Sequence, residues 1–131
     1  MRYSFDITIP KNTLITDPYE QSIRLDTGLL TNISIGFKAG CHNLVNVAVF
    51  DALEQIAPAN GSLSIYGDAD MISIPMQHEI GLKPYSLIVR CWSDGTRYSH
   101  VITFWFDVIE TAKKEESGLI QQFKHLLNGE L

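Results

Sequence analysis

Asp26-Thr27-Gly28, preceded by Leu25, places one carboxylate on a tight turn after an apolar residue. Two such carboxylates brought within about 3 Å share a single proton, because like charges that close cannot both ionise. The chain has one copy, so this chemistry needs a second chain to supply the other Asp26. The bland alternative is a polar turn in which Asp26 accepts backbone N–H groups and Gly28 supplies a conformation other residues avoid. Asp68 and Asp70, in Gly67-Asp68-Ala69-Asp70, make a fragment of a calcium loop without the further oxygen ligands such a loop uses. A solvated turn explains that pair better. His42, His78, His100 and His125 share no metal-ligand spacing, and Cys41 and Cys91 lie fifty residues apart with no CxxC pair. Cys41-His42 is a tempting thiol–imidazole pair, yet neighbours on an extended chain point to opposite faces. Gly-x-Ser-x-Gly, phosphate-loop and dinucleotide glycine patterns are missing. The residues therefore lead us to expect no catalytic residue, no metal and no cofactor, and two buried free thiols.

Strands must position whatever these residues do. The 131 residues make one domain's worth of chain, with 45% hydrophobic and only 19% charged residues. Ten Lys and Arg against fifteen Asp and Glu leave a charge of −5, with no basic stripe to draw nucleic acid. No run of eighteen apolar residues points to a membrane, and the first residues do not read as a signal peptide, so a cytoplasmically made product is expected. Period-two alternation fills residues 3 to 108. Tyr3, Phe5, Ile7 and Ile9 share one side until Pro10; Ile33, Ile35 and Phe37 repeat the pattern; residues 44–50 are apolar enough for a strand covered on both faces. Ala57 to Gly61 reads as loop, followed by short strands at 63–66, 71–74 and 76–80. Eight to ten strands with no earlier helical pattern predict an all-β antiparallel sandwich, jelly-roll-like, over residues 1–109.

Asp94-Gly95, between 85–92 and 97–108, suits a two-residue type I′ turn and so predicts a hairpin. In that hairpin Cys91 meets Tyr98, Val89 meets His100, Leu87 meets Ile102 and Tyr85 meets Phe104 on the core face. Ile88 then lies opposite Val101 on the outer face, Trp105 follows, and Trp92 stacks on Arg97. So apolar an outer face, with Ile88, Val101 and Trp105, calls for a covering partner. Residues 110–131 change character. Glu110 to Glu116 form a charged linker, and Ser117 caps a short helix closing near Asn128-Gly129. Its stripe of Leu119, Ile120, Phe123, Leu126 and Leu127 has helical spacing, with His125 beside it. So short a helix needs a docking surface, either its own sandwich or a neighbouring subunit.

Ile9-Pro10-Lys11-Asn12-Thr13, Asp17-Pro18, Leu25 to Leu30 and Ile33 to Phe37 come before Lys38-Ala39-Gly40-Cys41-His42-Asn43-Leu44-Val45-Asn46-Val47. This order resembles small β-sandwich virion proteins of tailed bacteriophages, most distinctively in Phe-x-x-Gly-Cys-x-x-Leu-Val-x-Val. Lys83-Pro84-Tyr85 is similar too, and the resemblance covers roughly residues 5 to 108. It implies a non-enzymatic structural subunit of a virion: capsid decoration, head spike or tail-associated protein. The partners it implies are copies of itself and other virion proteins such as capsid or tail subunits. Asp26-Thr27-Gly28 also resembles the signature of homodimeric retroviral-type aspartic proteases. Against that, Leu29 stands where the family has Ala or Ser, the nearest second motif (Ile65-Tyr66-Gly67) comes early, and no Gly-rich flap is evident. A carbohydrate-binding sandwich, stacking sugars on Trp92, Trp105 or Tyr98, is a third reading.

Overall fold

The computed structural model describes residues 1–61, 63–81 and 85–109. The predicted linker and helix, with Ser117, Leu119, Ile120, Phe123, His125, Leu126 and Leu127, lie outside the described residues, as does Lys83-Pro84.

Among the described residues nine strands form: β1 (Arg2–Ile9), β2 (Tyr19–Arg24), β3 (Gly28–Phe37), β4 (Asn46–Asp51), β5 (Glu54–Ala57), β6 (Ile65–Tyr66), β7 (Asp70–Ile80), β8 (Ser86–Trp92) and β9 (His100–Ile109). No helix occurs among the described residues. Every pairing is antiparallel, in one sheet of order β1-β9-β3-β7 and a second of order β2-β8-β4-β5, with the short β6 also on β4. The ladders nest along the chain. β1 pairs with β9, β2 with β8, β3 with β7 and β4 with β5, each pair lying inside the one before.

Alternation explains why the two sheets must meet. Ile7, Ile9, Ile33, Ile35, Phe104 and Phe106 turn inward from the first sheet, and Val47, Val49, Leu87, Val89 and Cys91 from the second, into one buried cluster. The rings of Phe104 and Phe106 stack at 6.3 Å, and Phe5 meets Phe106 edge-on at 6.0 Å. Val47, Ala48 and Val49 are all buried, as their continuous apolarity predicts. Gly28 begins β3 because a side chain there would meet the carbonyl oxygen of Ile109 at 2.5 Å. Residues 71–80 form one edge strand instead of two short ones. Pro75 sits within it, where an edge position tolerates a missing N–H. β5, which no sequence signal marked, is added by pairing with β4 and ends at Ala57, where the Ala57 to Gly61 loop begins.

The predicted hairpin does not form. β8 belongs to the second sheet and β9 to the first, so Cys91 pairs with Tyr19 and Val47, while Phe104 pairs with Phe5 and Ile35. The turn itself is where the sequence places it, with Thr96 N–H donating to the Ser93 carbonyl at 3.1 Å. Gly95 has φ +87° and Asp94 is not in the left-handed region. A type I′ turn needs positive φ at both central residues; this sign pattern is that of type II, whose twist splays the strands apart. Leu87, Val89, Cys91, Ile102 and Phe104 still face the core, but across it instead of along one sheet. Tyr98 is exposed instead. Replacing Phe104 by Ala should cost about 3–5 kcal/mol of folding free energy, read by urea denaturation, because the stacked pair leaves a cavity that neither sheet can close alone.

Candidate functional site

The β1–β2, β3–β4, β5–β7 and β8–β9 connections gather at one end of the two sheets, and hydrogen bonds tie them in two pairs. In the first pair, buried Ser93 donates through Oγ to the Pro10 carbonyl (2.7 Å) and accepts from Thr13 N–H (3.1 Å). Thr96 Oγ1 accepts from Asn12 N–H (2.9 Å) and donates to the Ser93 carbonyl (2.8 Å), and Asn12 Oδ1 accepts from Gly95 N–H (3.0 Å). Buried polar groups this completely satisfied fix a loop more firmly than apolar contacts do. In the second pair, Asp68 Oδ1 accepts from Gly40 N–H (2.9 Å), Gly67 O from Asn43 N–H (3.2 Å), and Lys38 O from Ala69 N–H (3.3 Å). His42 and Asn43 adopt left-handed φ values of 50° and 59°, held there by this clamp. The N–H groups of His42, Gly40 and Cys41 hold the Asp68 carboxyl below its ordinary range, against the opposing effect of desolvation.

Between the two clamped pairs lies a pocket of about 480 Å³. His42, Leu44, Thr96, Arg97, Tyr98 and His100 line it, and no carboxylate is among the lining residues. Cys41 sits behind it with Sγ 3.8 Å from His100 Nδ1. Residue spacing gave no sign of this thiol–imidazole approach, because it joins the β3–β4 loop to the start of β9 across fifty-nine positions. Burial, with the charges of Asp68 and Asp70, raises the Cys41 pKa, and burial alone pushes that of Cys91 up to about 12. Neither is a ready nucleophile, since the thiolate is the reactive form. Both are free, as expected.

The other sequence candidates scatter. Asp26 is exposed at the opposite end, where its Oδ1 accepts from Thr27 N–H (2.8 Å) and Thr27 Oγ1 donates to the Ile80 carbonyl (2.9 Å); it acts there as a turn former. At that end His78 Nε2 also lies 2.6 Å from Asp51 Oδ2, joining β7 to β4 across the sheets. No group of three or more metal-binding side chains occurs among the described residues.

The outer face predicted for the hairpin divides between two surfaces. Ile88, half-buried, stands opposite Ser22 and Phe50 on the second sheet, and not opposite Val101. Val101 and Trp105 belong to the first sheet, where the Trp105 ring lies across Gly36, leaving only 3.1 Å for a side chain there. Arg90, not Arg97, makes the cation–π contact, 4.4 Å above the Phe50 ring, while its Nε donates to Glu20 Oε1 at 3.0 Å. Phe50, Arg90 and Trp92 line a second groove of about 320 Å³ on the outside of the second sheet, with Ile15 and Leu63 at its rim.

No protein-family model matches the chain, and no curated protein matches its sequence.

Two outcomes follow. A thiol reagent added to the folded protein should label neither cysteine, and both should react once denaturant exposes them. Because the folded-state pKa of Asp68 is lowered, its support of the β3–β4 loop is complete above the ordinary value of 3.8 and is lost as pH falls through the lower folded value. The Gly40 amide resonance should therefore hold steady down to about pH 3.8 and shift only below it, while Asp68→Asn should displace it at every pH.

Proposed function

We propose that the chain is a non-enzymatic, jelly-roll-like structural subunit of a phage-like virion, working through contacts with copies of itself and with other virion proteins. The observation that carries this reading is the nested pairing of strands. With the two-residue β6 set aside, eight strands of the described residues lie in two four-stranded sheets, with consecutive strands changing sheet except at the β4–β5 hairpin. Eight strands in two Greek keys define the jelly roll, an architecture used in viral capsid domains and in lectins. Fold alone does not set function. The resemblance of residues 5 to 108 to phage virion sandwiches selects the structural use.

The contact surface in this reading is the outside of the second sheet. Ile88, Phe50 and Trp92 are half-buried there, and Ile15 and Leu63 stand exposed beside them. Burying such a face against a neighbour contributes roughly 25 cal/mol per Å² of apolar area before the costs of association. Val101 and Trp105, on the opposite outer surface, belong to a different contact in this reading, and Leu119, Ile120, Phe123, Leu126 and Leu127 supply a third.

The test is native mass spectrometry of the full chain together with incorporation into purified particles. A defined oligomer is expected, with Ile15→Asp and Leu63→Asp shifting it toward monomer while circular dichroism stays unchanged. Deleting residues 111–131 should lower incorporation. A wild-type monomer at every concentration, absent from particles, would overturn the proposal.

A further inference from the structure

The pocket between the clamped loops has features that an assembly surface does not need. Arg97 is exposed and makes no hydrogen bond or ion pair among the described residues. In a chain of net charge −5, a guanidinium unengaged among the described residues, on a concave site whose lining residues carry no carboxylate, favours an anion, with Asp68 standing behind His42 at 3.9 Å from its Nδ1. Its planar fork of donors matches a carboxylate in a bidentate pair. Three further groups surround the same space. Tyr98 is 74% exposed and offers a ring face and a hydroxyl. His42 and His100, whose Nδ1 atoms face Asp68 Oδ2 (3.9 Å) and Cys41 Sγ (3.8 Å), each keep Nε2 to donate or accept, and Leu44 adds an apolar wall.

Preorganisation is the second argument. Both walls of the pocket are fixed before any ligand arrives: Ser93, Thr96 and Asn12 hold the side carrying Arg97 and Tyr98, and Asp68 holds the side carrying His42. A site whose loops are already ordered spends little binding free energy on ordering them. A volume of about 480 Å³ lies within the range of small-molecule sites.

Taken together, the geometry points to a binding site for an acidic sugar: Arg97 takes the carboxylate, the Tyr98 ring and Leu44 take the C–H face of the pyranose, and His42 and His100 take hydroxyl groups. This assignment is independent of the assembly role. A cation alone would suit any anion. The aromatic ring and apolar wall beside hydrogen-bonding imidazoles favour a ring that is both hydroxylated and acidic.

The experiment is titration of the isotope-labelled full chain with glucuronic acid, with glucose and inorganic phosphate in parallel, followed by amide NMR. Glucuronic acid should shift resonances in residues 38–45 and 93–100. Arg97→Ala should weaken that binding about tenfold or more, as expected for losing a charged hydrogen-bonding pair, with Tyr98→Ala weakening it less. Both positions are exposed, so the variants should keep the wild-type spectrum elsewhere. The proposal is overturned by no shifts at these loops, by equal binding of glucose, or by equal binding of phosphate. Undiminished affinity in Arg97→Ala would also overturn it.

Discussion

Phe5 lies opposite Phe104, Ile7 opposite Ile102 and Ile9 opposite His100, residues about a hundred positions apart brought into one ladder. Around that ladder the molecule closes. β9 is held by β1 on one side and β3 on the other, and its inward rings form the middle of the core. At the open end of the ladder, Arg2 grips Asp107 with both Nε (2.8 Å) and a terminal nitrogen (3.2 Å), and Met1 and Val108 exchange backbone hydrogen bonds. The guanidinium lowers the Asp107 pKa. Closing so long a loop is entropically costly, so the cost of this pairing is offset by everything packed inside it.

The nesting that puts β1 and β9 in one ladder also puts the loops of the described residues in two groups. At one end the connections carry buried Ser93 and Thr96, left-handed His42 and Asn43, and the clamp from Asp68. At the other, short turns serve geometry: Thr27 ties to Ile80, Leu25 N–H donates to the Tyr85 carbonyl, and Gly28 makes room for Ile109. Polar order and exposed functional groups thus concentrate at the first end, on loops held by a rigid scaffold.

Alternation made much of this legible. The inward sets Ile7 and Ile9, Ile33 and Ile35, Leu87 and Val89, and Phe104 and Phe106 follow from period two alone, because a one-residue slip would expose every one of them. Partnering was not legible. Asp94-Gly95 signals a turn, yet hairpin and inter-sheet arch differ in the sign of φ at Asp94, which Asn12, Ser93 and Thr96 set from loops far apart in sequence. For the same reason the pocket was invisible. His100 and Cys41, or Arg97 and His42, become neighbours only through the register of four strands, and no local pattern encodes that. The short strands expected at 71–74 and 76–80 join through Pro75, which an edge position, known only from the sheet order, tolerates.

The antiparallel ladder of β1 and β9 has a mechanical consequence. Residue 2 pairs with residue 107, so the chain's start and the end of the last strand leave the molecule side by side. Tension applied between those two points loads the hydrogen bonds one after another, from Arg2–Asp107 inward, in the manner of a zipper. Tension applied along the strands, from opposite ends of the ladder, loads its hydrogen bonds together. The same ladder therefore yields bond by bond when residues 2 and 107 are drawn apart, and resists as a unit when β1 and β9 are sheared past each other.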